Sequence, residues 1–155
     1  MKNTPIDKYA ALVDSGRLIS DLAQKEAMAR LNELYLDLTR MSWKQKLKDL
    51  IRHLPLPVVV KRKNCVRGLY LCGGVGRGKT MLMDLFYSCL PPGIGQRYHF
   101  HRFMQRVHDE LTSRRGNKNP LKDIAAQLAS ETRVICFDEF YVSDIADAMI
   151  LGELL

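Results

Sequence analysis

The sequence predicts an α/β fold, parallel strands joined by crossover helices and preceded by a helical N-terminal region, on three observations. From Gly68 onward, short apolar runs alternate with helix-length amphipathic segments. A glycine-rich turn, Gly73 to Thr80, stands between the first apolar run and a helix. An Asp–Glu pair closes the third run, in VICFDE. The chain has 155 residues, of which 46% are hydrophobic and 26% charged. That composition suits one ordinary domain, or a small domain with an extension, and excludes a wholly disordered chain.

The elements follow in order. Thr4 and Pro5 form a helix start, a capping hydroxyl followed by proline in the first turn. Ile6, Tyr9, Ala10 and Val13 share one face of that short helix, and Gly16 ends it. Ser20 is the expected cap of a second helix running to about Arg40, with Ala27, Leu31, Leu34, Leu38 and Met41 as a narrow apolar seam. Ser42 is the expected cap of a third, stopped by Pro55 and Pro57. Gly68 to Cys72 reads as a buried strand, and MLMDLFYSCL as the helix after the glycine turn. Arg97 to His101 and Arg133 to Phe137 read as two more strands. Between them lie helices over Arg102 to Thr112 and from Asn119 and Pro120 to Ser130. Ser143 is the expected cap of a last helix.

The glycine turn, Gly73-Gly74-Val75-Gly76-Arg77-Gly78-Lys79-Thr80, matches GxxxxGKT without a mismatch. A loop that wraps a phosphate must turn its backbone N–H groups inward, through torsions that glycine adopts cheaply. It must also approach the phosphate oxygens closely, which leaves no room for side chains. Lys79 brings a compact positive charge to the β- and γ-phosphates, and Thr80 offers a hydroxyl to Mg²⁺. The helix that follows points its positive end at the same anion. Gly73 through Met81 are therefore the candidate nucleotide-binding residues of a P-loop NTPase, and Lys79 is also a candidate catalytic residue.

A buried parallel strand delivers its C-terminal end to the sheet edge where ligands bind. Asp138 is then placed to hold Mg²⁺, and Glu139 to orient and partly deprotonate a water for in-line attack on the γ-phosphorus. A small-molecule kinase has no use for a water-activating glutamate, so the pair favours hydrolysis.

Other signals bound the reading. The four cysteines, Cys65, Cys72, Cys89 and Cys136, form no CxxC pair; the last three sit in apolar runs, as small buried hydrophobes in a reducing cytosol. No run of about 18 apolar residues occurs, and the N-terminus carries no apolar signal core. The net charge of +7 resides between Arg40 and Arg67, where nine basic residues face one acid, Asp49. That patch has three readings: a solvated face, a basic amphipathic surface for an acidic partner or membrane, or a nucleic-acid contact. Lys61-Arg62-Lys63 is short and no aromatic ladder accompanies it, which argues against nucleic acid. His99 and His101, two apart on one strand, with His108 beyond, are either locally hydrogen-bonded or a metal site. Arg77 either touches phosphate or points outward to solvent or a neighbouring subunit.

GLYLCGGVGRGKTMLMDLFY, RYHFHRFM and VICFDEFYVSDIADAMILGELL resemble the AFG-like ATPases, P-loop proteins related to the AAA+ class with a bacterial branch in cell division. The resemblance covers nearly the whole chain. It implies ATP and Mg²⁺ as ligands, with Gly73 to Thr80 as Walker A and Asp138 and Glu139 as Walker B. It also implies a bacterial cytoplasmic protein that remodels a protein partner, the FtsZ ring, near the inner membrane, with homo-oligomers open. On this reading residues 1–63 are a helical region with a basic connector, and 64–155 the first part of an ATPase domain. The family's sheet has strand order 5-1-4-3-2, and strands 4 and 5 and the arginine finger have no counterpart in this sequence. The expectation is an N-terminal part of a longer ATPase, with the first strand short of its neighbour and hydrolysis lost or slow. A non-hydrolysing nucleotide-binding adaptor and a helicase-loader-type ATPase are the alternatives.

Overall fold

Backbone hydrogen bonding divides the molecule into a helical part and a part built on two parallel strands. The structure is a computed structural model that describes residues 4–51 and 66–154, and it separates into two units between Pro91 and Pro92.

The first unit contains α1 (Pro5–Asp14), α2 (Leu22–Ile51) and α3 (Lys79–Tyr87). Thr4 caps α1 in a reciprocal capping box with Asp7, and Pro5 opens the first turn, as expected. The cap of α2 is Asp21, not Ser20: Asp21 Oδ1 accepts from Gln24 N at 3.0 Å, and Asp21 O from Lys25 N at 3.0 Å. The break expected at Ser42 is also absent, and α2 runs through to Ile51. No glycine or proline occurs between Gly16 and Pro55, and one serine inside a helix costs only about half a kcal/mol. Four of the five expected seam residues are described, the Met41 side chain lying outside the described residues, and Met28 is a further member. Met28, Leu31 and Leu38 are buried, with Ala27 and Leu34 half-buried beside them. Tyr9 of α1 and Leu82, Met83 and Phe86 of α3 complete the apolar interior. Lys8 Nζ ties α1 to the end of α3, donating to Ser88 Oγ at 2.9 Å and to its carbonyl at 3.2 Å. The stops at Pro55 and Pro57, and most of the basic stretch with Lys61-Arg62-Lys63 and Cys65, lie outside the described residues.

Gly68 to Cys72 does not form the expected strand. Leu69 and Tyr70 are 42% and 68% exposed, and Cys72 is exposed rather than buried. A strand is defined by hydrogen bonds to a neighbour, and among the described residues no strand pairs with this segment.

The second unit runs β1 (Gly95–His99), α4 (Phe100–Ser113), α5 (Pro120–Glu131), β2 (Val134–Asp138) and α6 (Ile145–Leu154). The two strands are parallel and in register from Gly95 opposite Val134 to His99 opposite Asp138. β1 stops two residues before its expected end. Phe100, Phe103, Met104 and Val107 recur with helical spacing, and all four are buried as one face of α4. That periodicity outweighs strand alternation. His101 therefore lies in α4 and does not share a strand face with His99. Asp144, not Ser143, caps α6, its Oδ1 accepting from Ala146 N at 2.8 Å. The core joins the α4 face to Ile124 and Leu128 of α5 and Leu151 of α6. Phenylalanine rings close it at β2, with Phe103 and Phe137 centroids 4.8 Å apart and Phe100 and Phe140 centroids 4.6 Å apart. Among the described residues no helix is long and apolar enough to cross a membrane.

Ion pairs brace this unit. Arg106 donates to Glu110 at 2.9 Å, to both oxygens of Glu131 at 2.9 and 3.1 Å, and to the Tyr98 hydroxyl at 2.9 Å. Arg114 adds bonds to Glu110 and Gln127. The Gln127 amide, and then the Arg106 guanidinium, hold the Glu131 carboxyl below the usual carboxylate range. The Glu131 bonds conversely raise Arg106, so at the basic end the pair persists up to the ordinary arginine range and its loss is on the acid side. A carboxylate with a lowered folded pKa stabilises above its unfolded value, about 4.3 for glutamate. The contribution fades as pH falls through the folded value. Denaturant midpoints measured from pH 7 down to pH 3 should therefore fall more steeply in the native protein than in Glu131→Gln, which begins less stable at pH 7.

Candidate functional site

The glycine turn occupies residues 73–78 and leads directly into α3. Gly73, Gly76 and Gly78 have φ of 149°, 76° and 80°, in the half of torsion space where a Cβ is strained. Gly78 is the left-handed N-cap of α3, and no side chain caps that helix end. The helix dipole favours an anion at that end. Lys79 spans the loop, its Nζ donating to Gly73 O at 2.8 Å and to Gly74 O at 2.7 Å. Val75 projects fully into solvent. Thr80 and Met81 form the first turn of α3. Backbone donors, one ammonium and one hydroxyl on a turn clear of bulky side chains fit a phosphate chain with its magnesium ion.

Arg77 pairs within the chain, neither reading having foreseen its partner. Its guanidinium pairs with Asp21 Oδ2 at 3.7 Å, and its carbonyl accepts from Gln24 Nε2 at 3.2 Å. Asp21 and Gln24 carried no functional signal in the sequence reading. Their Asp-x-x-Gln spacing is that of a helix-capping box, and that spacing was the available clue.

In the second unit Asp138 is the last residue of β2, at the C-terminal edge of the strand pair, and Glu139 follows it. Glu139 is exposed, and it is the one non-glycine residue with positive φ, 53°, among the described residues. Such a torsion in a glutamate is uncommon and tends to accompany function. Its backbone N–H donates to Asp138 Oδ1 at 3.1 Å. Asp138 Oδ2 accepts from Arg97 of β1 at 2.9 Å, with both side chains mostly shielded from solvent. Arg97 was missed in the sequence reading because the contact is cross-strand and depends on register. His99, opposite Asp138, ends β1 with Nδ1 buried and without a hydrogen-bond partner among the described residues. His108 pairs instead with Asp147 at 2.7 Å. Among the described residues no three His, Cys, Asp or Glu side chains converge as a metal cluster. Magnesium, which takes carboxylate, hydroxyl and water oxygens, needs no such cluster.

Comparison with known proteins agrees with this reading. The family model for AFG1-like ATPases matches residues 3–155. The chain is 47% identical to the cell division protein ZapE of Escherichia coli, over 98% of its own length and 42% of that protein. It is 37% identical to an uncharacterized protein of Schizosaccharomyces pombe, over 98% of its length and 39% of that protein. With Lactation elevated protein 1 homolog B of Danio rerio it shares 48% identity over 57% of its length and 20% of that protein. The chain thus spans about two fifths of the first of these relatives. No solved structure matches.

The loop torsions generate a test. A Cβ added at Gly78 would lie 3.1 Å from Gln24 Nε2, whereas one at Gly76 would meet nothing within 4 Å. Gly76→Ala should lose about 1 kcal/mol to the left-handed torsion alone. Gly78→Ala should lose more, on the order of 2 kcal/mol, in unfolding of the nucleotide-free protein by denaturant.

Proposed function

Because the chain belongs to the AFG1-like ATPase family, we propose that it binds ATP with Mg²⁺ on the Gly73–Met81 loop and belongs to a protein that hydrolyses it. The carrying observation is the loop itself: a complete GxxxxGKT turn with positive-φ glycines, crossed by Lys79, at a helix end without a side-chain cap.

On this reading the backbone N–H groups of 73–80 and the α3 dipole bind the phosphate chain, and Lys79 neutralises charge on the β- and γ-phosphates. Thr80 and Asp138 would hold magnesium, which supplies charge neutralisation at the transferring phosphoryl group. Glu139 orients the attacking water and accepts its proton. Its exposed position at the strand end leaves it accessible to water. Arg97 donates to Asp138 Oδ2 at 2.9 Å across the strand pair.

On the same reading residues 1–63, with α1 and α2 in their described part, precede an ATPase domain that begins near 64. The likeness to a cell division protein supports a bacterial cytoplasmic role in division, with hydrolysis coupled to remodelling of an FtsZ-type partner, as a homo-oligomer or beside the inner membrane. A second reading, nucleotide binding without efficient turnover, is favoured for this chain by itself by one observation: the segment entering the loop, Gly68 to Cys72, has no strand partner among the described residues. A loop delivered by an unpaired segment is less rigidly placed for chemistry.

Lys79→Ala should reduce ATP affinity at least tenfold in equilibrium binding, and an unchanged affinity would remove the loop from the nucleotide site. Glu139→Gln should retain binding and lose turnover by on the order of 10²-fold or more. A native rate in that variant would take Glu139 out of the base role.

A further inference from the structure

The first turn of α2 meets the phosphate loop at its most constrained point. Gln24 Nε2 donates to Arg77 O at 3.2 Å. The same nitrogen stands 3.1 Å from the place a Cβ on Gly78 would take, so glycine there admits the Gln24 amide as well as the left-handed torsion. The amide is itself oriented. The hydroxyl of Tyr9, a residue 3% exposed, donates to Gln24 Oε1 at 3.4 Å. With its oxygen facing that donor, the nitrogen faces the loop. The backbone position of Gln24 is held in turn by its N–H on Asp21 Oδ1 at 3.0 Å.

The bond to the Arg77 carbonyl has a directional consequence. Peptide units are planar and trans, with C=O and N–H pointing oppositely, and no cis bond occurs among the described residues. A donor that holds the Arg77 carbonyl on the α2 side therefore sends the Gly78 N–H away from α2. Glycine makes such a hold necessary. The freedom that lets Gly78 adopt φ 80° also lets the 77–78 peptide rotate to another orientation at little cost. Gln24 opposes that rotation from outside the loop.

We propose that Gln24 is a positioning residue for the triphosphate: it presets the Arg77–Gly78 peptide so that the Gly78 N–H is presented to the anion, with Tyr9 orienting the amide and Asp21 fixing the turn. The proposal rests on the nucleotide-binding reading of the loop. It makes the N-terminal helices part of the nucleotide site's architecture although they supply no group to the nucleotide. Linkage then requires the converse effect, in which bound nucleotide tightens the start of α2.

The test uses Gln24→Met, which keeps the length and shape of the side chain and removes the donor, and Tyr9→Phe, which removes only the hydroxyl. Three quantities are measured on the purified protein: equilibrium affinity for a fluorescent ATP analogue, the denaturant midpoint without nucleotide, and amide exchange at residues 21–25 with and without ATP. Gln24→Met should weaken binding about five- to tenfold, the worth of one lost hydrogen bond, and Tyr9→Phe about two- to threefold. In the native protein ATP should slow exchange at 21–25, and in Gln24→Met that slowing should vanish. A lower midpoint in Gln24→Met with affinity within twofold of native would make Gln24 merely structural and overturn the proposal. Equal ATP protection of 21–25 in native and variant proteins would do the same. A native protein that binds no ATP analogue would instead overturn the nucleotide reading itself, a result distinct from either.

Discussion

A loop that grips a phosphate chain must turn successive backbone N–H groups toward one point, and that requirement underlies the nucleotide role proposed for the stretch from Gly73 to α3. It explains three glycines with positive φ in six residues. It also explains why α3 begins without a side-chain cap, since a serine or aspartate there would occupy the donors that an anion needs. Lys79, bonded to two carbonyls of the loop, keeps the turn folded around the charge it brings. The same glycines leave the backbone free to depart from this arrangement, and the compensating restraint comes from elsewhere in the chain. Helix α2, capped by Asp21, places Gln24 against the Arg77 carbonyl and Asp21 against the Arg77 guanidinium. A segment that reads as a helical extension is thus joined to the loop by hydrogen bonds.

The strand end that carries Asp138 and Glu139 is held by different means. Among the described residues β2 forms a ladder only with β1, and two strands alone are marginal in water. The unit persists because α4, α5 and α6 bury a continuous apolar interior behind the ladder, with phenylalanine rings packed at its edge. The Arg106 network covers the far side with charge-assisted bonds, each partner satisfied more than once. Arg97 bridges the two strands where the ladder ends, so the carboxylate proposed to serve magnesium is held by its neighbouring strand.

Much of this was legible because it is local. The capping box at Thr4 and Asp7, the loop-to-helix transition at Gly78 and the span of α5 after Asn119 and Pro120 depend on residues a few positions apart, where backbone sterics and hydrogen-bonding reach decide the outcome. The misplaced caps at Ser20 and Ser143 are errors of one residue, each toward a neighbouring aspartate that binds the first-turn N–H groups. The boundary at His99 was misjudged because RYHFH satisfies strand alternation while Phe100 also begins a helical repeat, and burial of Phe100, Phe103, Met104 and Val107 selects the second.

By itself the sequence determined the glycine turn before a helix, the acidic pair at a strand end and much of the alternation of helix and strand, because torsional permissiveness, charge and periodicity are properties of neighbouring residues. Tertiary structure alone decided which segments became strands and which groups became partners. Gly68 to Cys72 has strand composition and, among the described residues, no ladder, since a strand exists only through hydrogen bonds to another. The pairing of Arg97 with Asp138 and of Gln24 with Arg77 joins residues 41 and 53 positions apart. Such contacts follow from register and helix packing, which no local pattern encodes.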